Sequence, residues 1–378
     1  MIEILLLIFF IFLLIHYLIF LFRIYFGLNK LNFEKTIQIP DEFISVLIPF
    51  RNEEQNILRV LKSLESQDYP EEKFEVIFID DNSSDNSKNI LEAHIRKNNF
   101  KVISVPEDYS EKAHKKRAIR YGIENAKGEI IVTTDADCVH SEKWLRTLLS
   151  FMKNDVGFIS GPVEFITGNN LFDKFQKLEF AGLVITGAGL IGNNTPTICN
   201  AANIAYRRKV FNEVGGFALQ MDLSSGDDEL LMQKIFQDTN YKIVFALDKN
   251  AIVKTEANYS IKQFYNQRKR WASKGLFYKN KLLVFKLILI FLFYSSLIVL
   301  SILGFFLSKL FLFLFIISFL LKIILEYKIL KRGTELLFNK NILDIFLIAE
   351  LFHIPYIMIA GISGAFGNYH WKGRSVSR

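Results

Sequence analysis

Residues 130–137 read Ile130-Ile-Val-Thr-Thr-Asp-Ala-Asp137, a short apolar run ending in two carboxylates, and the reading of this stretch decides the fold. Four to eight apolar and β-branched residues bounded by polar ones make a buried strand, which is predicted here over Glu129–Thr134. In extended chain, residues i and i+2 point to one side, so Asp135 and Asp137 face a common pocket. The same design recurs upstream. Ser45–Pro49, Phe74–Ile79 and Lys101–Val105 are read as strands, with helical spacing between them at Glu54–Ser66, Ser87–Lys97 and Ala113–Ala126. Strands alternating with helices imply a mostly parallel α/β sheet, and such sheets bind ligands just beyond the carboxyl ends of their strands.

Acidic and small residues follow the strands. The first ends in Pro49-Phe-Arg-Asn-Glu53, the second in Asp80-Asp-Asn-Ser-Ser-Asp85, the fourth in Asp135-Ala-Asp137. An Asp-Asn-Ser run alone caps a turn or the next helix. Three acidic strand ends on one sheet edge repel one another, and a divalent cation offsets that repulsion. Mg²⁺ or Mn²⁺ needs only one or two protein carboxylates when water and a diphosphate fill its other positions, so Asp135 and Asp137 are the candidate metal ligands. Cys138 reads as a packing residue, and His140 as a solvated turn histidine or, less favoured, a further metal ligand. Downstream, Gly215-Gly-Phe217 precedes Gly226-Asp-Asp-Glu-Leu230, which by itself reads as a capped helix start. Gln267-Arg-Lys-Arg-Trp271 closes a basic, aromatic stretch from Tyr259 that reads as an interfacial helix.

The 378 residues are 51% hydrophobic and 22% charged, with 37 Phe, which excludes a disordered chain. Two cysteines, Cys138 and Cys199, make neither a disulfide framework nor a zinc pattern. Residues 4–22 carry a single polar side chain, His16, over a membrane-spanning length without the features of a cleaved signal peptide. Leu287–Ser308 and Leu310–Leu325 form a hairpin turned at Ser308-Lys309, with Lys322 expected to snorkel to the interface. A fourth run, Ile342–Ile362, holds Asp344, Glu350, His353 and Pro355 and either spans, re-enters or lies in the interface. The positive flanks Arg23, Lys30, Lys35, Lys274, Lys279, Lys281 and Lys286 place the middle of the chain in the cytoplasm of a plasma-membrane, multi-pass protein. These flanks account for much of the net charge of +7, so the charge does not indicate nucleic acid. A re-entrant fourth run keeps Lys372, Arg374 and Arg378 inside, and this is the favoured reading. The organisation is an anchor at 1–27, an α/β domain at 40–280, a membrane hairpin at 281–330, and a loop, fourth segment and basic tail at 331–378.

Phe50-Arg-Asn-Glu53, Asp80-Asp-Asn-Ser-Ser-Asp85, Asp135-Ala-Asp137, Gly226-Asp-Asp228 and Gln267-X-X-Arg-Trp271, in this order, resemble the inverting family 2 glycosyltransferases of GT-A fold. The similarity covers roughly residues 43–275. Its last element resembles that of membrane-embedded members such as cellulose, chitin and hyaluronan synthases and ceramide glucosyltransferase. The resemblance implies that Glu53, Asp80 and Asp81 contact the base and ribose of a nucleotide sugar, that Lys115 or Lys116 lies near its diphosphate, and that Asp135 and Asp137 hold it through the metal. It makes Asp228 the general base, Arg270 a support for the diphosphate, Trp271 a platform for the acceptor, and Asp227 and Gln267 further acceptor-side residues. Asn200 and Asn203 depart from the family pattern, where a Gly more often precedes the second Asn.

These types suit the chemistry. A hydroxyl that attacks an anomeric carbon in line with a departing diphosphate needs positive charge at the leaving side and a proton acceptor at the attacking side. The expected function is inverting transfer from a UDP-linked sugar to a lipid, lipid-linked or polysaccharide acceptor. A processive polysaccharide synthase is the alternative within the family. A nucleotide-binding membrane transporter or scaffold is the alternative outside it, against which the unequal runs split around a long soluble insertion argue. A glycosidase would not need a diphosphate-binding edge.

Overall fold

The computed structural model describes residues 1–31, 40–109, 114–166, 168–218, 226–275, 278–338, 340–366, 369–371 and 374–376. Ala113, Lys35, Lys372 and Arg378, on which parts of the sequence reading fall, lie outside the described residues. A long helix α1 (Ile2–Lys30) leads into β1 (Ile44–Phe50), α2 (Ile57–Glu65), β2 (Phe74–Asp80), α3 (Ser87–His94), β3 (Phe100–Ser104), α4 (His114–Glu124) and β4 (Ile130–Thr133). Then come α5 (Trp144–Leu149), β5 (Val156–Ser160), β6 (Val163–Ile166), α6 (Leu171–Gly192), β7 (Ile204–Arg207) and α7 (Arg208–Glu213). The domain closes with α8 (Glu229–Asp238), β8 (Lys242–Phe245), β9 (Val253–Glu256) and α9 (Ile261–Ala272). Three apolar helices follow: α10 (Lys281–Phe306), α11 (Lys309–Leu336) and α12 (Phe346–Phe366).

The main sheet has seven strands in the order β3-β2-β1-β4-β7-β5-β8. The first four are parallel as expected, while β7 runs antiparallel between β4 and β5. Period-two alternation sends Val46, Ile48, Val76 and Phe78 to one face and Leu47, Ile77 and Ile79 to the other. The second face belongs to a core that continues through Ile185 of α6 into Tyr17, Ile24, Leu289 and Phe293 of the apolar helices. Domain and bundle thus share one core. At the crossing of α1 and α6 the backbones touch: a Cβ on Gly27 would meet the Gly189 carbonyl oxygen at 1.7 Å, a contact only glycine tolerates.

Four helices, Ile2–Lys30, Lys281–Phe306, Lys309–Leu336 and Asn341–Ala365, are long and apolar enough to cross a membrane. The turn between α10 and α11 falls where expected, with Ser308 capping Leu310 N–H. Lys322 does not snorkel. It is fully buried and bonded to Glu326 (3.0 Å) and to Glu350 of α12, because an ammonium in an apolar bundle is held more readily by carboxylates than left near lipid. Tyr17 and Tyr294 also reach Glu326, and His353 Nδ1 lies 3.3 Å from Lys322 Nζ. The path of α12 is informative. Phe346 packs on Tyr327 of α11, Glu350 and His353 meet Lys322 and Tyr294 halfway along α11 and α10, and Gly364 returns to Ala272 of α9.

Candidate active site

The loop after β1 and the loop after β2 interlock at the sheet edge. Asn52 (φ 53°) and Asn82 (φ 59°) both adopt the left-handed conformation that Asn accepts better than most residues. Arg51 donates to the carbonyls of Asp81 and Asn82 at 2.7 Å, and Asn52 bridges to Ser84. Asp80 Oδ1 accepts Ser83 N–H at 2.9 Å, which is the turn chemistry expected of an Asp-Asn-Ser run. The Glu53 carboxylate accepts from Asn56 at 2.9 Å, and the Glu53 N–H donates to Ser87. Asp81 is buried and ion-paired with Arg117 of α4. The edge is therefore held rigid by its own polar groups, with Glu53, Asp80 and Asp81 within two adjacent loops.

The second half of the cluster joins distant parts of the chain. Lys115 Nζ lies 2.6 Å from Asp135 Oδ1 and 3.3 Å from Asp227 Oδ2, tying the end of β4 to the residues before α8. Burial alone would lower the Lys115 ammonium, and Asp135 and Asp227 reverse this and hold it well above the ordinary range. Lys116, fully buried behind it, is lowered by burial to about 8 despite facing Asp227 and Asp228. It is not a solvated helix-surface residue. Burial works against the Asp227 carboxylate, but Lys115, Lys116 and Lys274 overcome it and hold the group below the usual carboxylate range. Asp228 is the N-cap of α8: Oδ1 accepts Glu229 N–H (2.7 Å) and Oδ2 accepts Ala201 N–H (3.0 Å). The capping expected of a helix start is thus present.

Asp135 and Asp137 stand two residues apart at the strand end, a pair of carboxylates of the kind a divalent cation takes, and the buried Asp227 Oδ2 faces the Lys115 ammonium outside hydrogen-bond geometry. The neighbouring Asp137 carbonyl accepts from Arg59 Nη2 at 3.3 Å, and Arg59 pairs with Glu256. His140 belongs neither to solvent nor to a metal site. It is buried, bonded at Nδ1 to Ser63 (3.0 Å) and at Nε2 to Thr134 (2.8 Å), and lies against Trp144. Burial lowers it to about 3, so the ring is neutral. Cys138 is buried, as expected of a packing residue. Asn203 is a core cross-link, accepting from Trp144 Nε1 at 3.0 Å and donating to the Pro162 and Ala251 carbonyls at 2.7 Å. Asn200 caps the short turn before it.

On α9, Gln267 accepts from Asn258 (2.9 Å) and from Arg268. Arg268 is buried against Glu179 of α6, and its guanidinium lies 4.4 Å from the Trp271 ring centroid. One face of Trp271 is thus occupied, and Phe180 packs nearby at 5.9 Å. Arg270 is half-buried. Sequence reasoning passed over Arg117, Arg268 and Lys274. Lys274 lies 3.7 Å from Asp228 and 3.3 Å from Glu229, although in the sequence it reads only as a membrane flank.

The Glycosyl transferase family 2 profile matches residues 45–215, which span β1 to the start of the segment before α8. Glycosyltransferase AglE of Haloferax volcanii is 28% identical over 213 residues, covering 54% of this chain and 65% of its own. Beta-monoglucosyldiacylglycerol synthase of Nostoc sp. is 25% identical over 265 residues, covering 65% of this chain and 51% of its own. The chain spans less than two thirds of the length of either relative. Among solved structures, mannosyltransferase PcManGT from Pyrobaculum calidifontis in complex with GDP-Man and Mn²⁺ aligns with a TM-score of 0.57 at 18% identity, covering 95% of this chain and 98% of that one. That likeness is one of fold.

Proposed function

Since this chain is a family 2 glycosyltransferase of GT-A fold, we propose that it moves a sugar from a nucleotide-diphosphate sugar to a hydroxyl of a lipid or lipid-linked acceptor at the membrane surface. The observation that carries this reading is the bridge through Lys115 from Asp135 to Asp227, which gathers the strand-end acid and the residues beside Asp228 at one edge. Donor binding falls to the loops with Glu53, Asp80 and Asp81. Asp135 and Asp137 would hold Mg²⁺ or Mn²⁺, which when bound supplies positive charge to the leaving diphosphate. Arg270 would add fixed positive charge on that side, with Lys116 buried behind the site against Asp227 and Asp228.

Asp228 takes the proton of the attacking hydroxyl. Two backbone N–H donors fix its carboxylate, so it need not reorganise as the proton arrives. A single displacement inverts the anomeric centre. Trp271, with Gln267 behind it and Asp227 alongside, would position the acceptor.

A lipid acceptor is supported by the short distance along the chain from Lys274, in the cluster, to Lys281, where α10 begins. The Nostoc relative is named for a glycolipid product. The positive flanks support a cytoplasmic position for the domain. The fourth helix starts and ends on the catalytic side, which supports a re-entrant segment rather than a crossing. The test is nucleoside diphosphate release by the purified protein from UDP-glucose, UDP-N-acetylglucosamine and GDP-mannose, with and without Mn²⁺. Mn²⁺-dependent release that is lost in Asp137→Ala is expected; release from none of the donors overturns the proposal.

A further inference from the structure

Between α9 and α10 the chain does more than reach the membrane. Lys274, only 9% exposed, lies 3.7 Å from Asp228 Oδ1 and 3.3 Å from Glu229 Oε1. Tyr278, four residues on and also buried, donates to the same Glu229 oxygen at 2.9 Å. A Cβ on Gly226 (φ 87°) would lie 3.6 Å from Lys274 Cδ, so the lysine stem packs along the turn that presents Asp227 and Asp228.

A lysine in this position has a cost of burial that solvent would relieve if it pointed outward. Its burial is offset by Asp228 and Glu229 and, further off, by Asp227, which Lys115 links to Asp135. The facing charged and titratable groups come from every neighbouring element: Lys115 and Lys116 on α4, Cys199 before β7, Arg270 on α9 and Tyr278 before α10.

We propose that Lys274 is a positioning residue for Asp228: with Glu229 and Tyr278 as its anchor, it holds the carboxylate in the orientation needed for proton acceptance, so that the approach to the first hairpin helix completes the catalytic side of the domain. This rests on the reading of Asp228 as the base. Lys274 touches neither sugar nor diphosphate in this account, so its loss lowers kcat and leaves donor binding intact.

The test measures nucleoside diphosphate release from the three donors above with Mn²⁺, together with UDP affinity by calorimetry and thermal stability. It compares the wild type with Asp228→Asn, Lys274→Met, Lys274→Arg and Tyr278→Phe. Lys274→Met is expected to lower kcat about tenfold or more, with the donor KM and UDP affinity within about threefold of wild type, as for a general base that loses its positioning contact. Lys274→Arg restores most of kcat, and Tyr278→Phe, which deletes one hydrogen bond, shows a smaller loss in the same direction. Wild-type kcat in Lys274→Met, with Asp228→Asn inactive, overturns the role of Lys274 alone. Full turnover in Asp228→Asn, or no release by the wild type, removes the underlying reading. If Lys274→Met fails to fold, wild-type kcat in Tyr278→Phe overturns the anchor.

Discussion

His140 gives the most quantitative prediction. Burial lowers its ring from the ordinary value of 6.5 to about 3, and its two ring nitrogens are occupied by Ser63 and Thr134. The unfolded chain takes up a proton below pH 6.5, whereas the folded chain resists until about pH 3. The neutral ring therefore contributes stability that is complete above 6.5 and is lost as the pH falls toward 3. At roughly 1.4 kcal/mol per unit, the loss between pH 6.5 and pH 5 is about 2 kcal/mol, a few degrees of Tm for a chain of this size. Thermal unfolding in detergent is measured from pH 7.5 to 5 for the wild type and for His140→Gln, which cannot titrate. Other groups contribute equally to both, so the wild-type curve is expected to fall more steeply by that amount. Parallel curves would refute the buried neutral ring. Loss of Mn²⁺ affinity in the variant would make His140 a metal ligand instead.

Other perturbations test separate parts of the account. Lys115→Met removes the ammonium shared by Asp135 and Asp227 and is expected to tighten Mn²⁺ binding about tenfold in calorimetry while turnover falls. Lys322→Met leaves Glu326 and Glu350 buried without their ammonium and is expected to cost about 3–5 kcal/mol, read as a lower Tm in detergent. Adding Glu350→Gln to it is expected to recover part of that loss. Asn203→Ala strands Trp144 Nε1 and two carbonyls and is expected to cost about 1–3 kcal/mol in thermal unfolding, with UDP affinity unchanged.

The first four strands were legible because each is a short apolar run with an acidic or small end, and their bounds in the structure differ by about a residue. The helix expected from Glu54 begins only at Ile57, because Asn52 at φ 53° and the Glu53–Asn56 bond make those residues a turn. The antiparallel strand β7 carries no signal of its partners: its pairing with β4 and β5 is decided by long-range packing. That Asp135 and Asp137 follow closely on β4 could be read from the sequence. Lys115, Lys274 and Arg268 could not be, because their partners lie 20 to 112 residues away and nothing in a basic segment says which cation turns inward. Lys322 is an exception. It was expected to snorkel, although Glu326, one turn on, is an i,i+4 partner that the spacing alone could have shown.

The central claim is that acids from separate loops form one cation and nucleotide site at the sheet edge. Anomalous scattering from crystals of the full chain grown with UDP and Mn²⁺ tests it most directly. The account predicts a Mn²⁺ peak held by Asp135 and Asp137, with UDP on the Glu53–Asp81 side and Asp228 lining the same cavity. A Mn²⁺ peak only at Glu326, Glu350 and His353, the group of potential ligands found among the apolar helices, would contradict it.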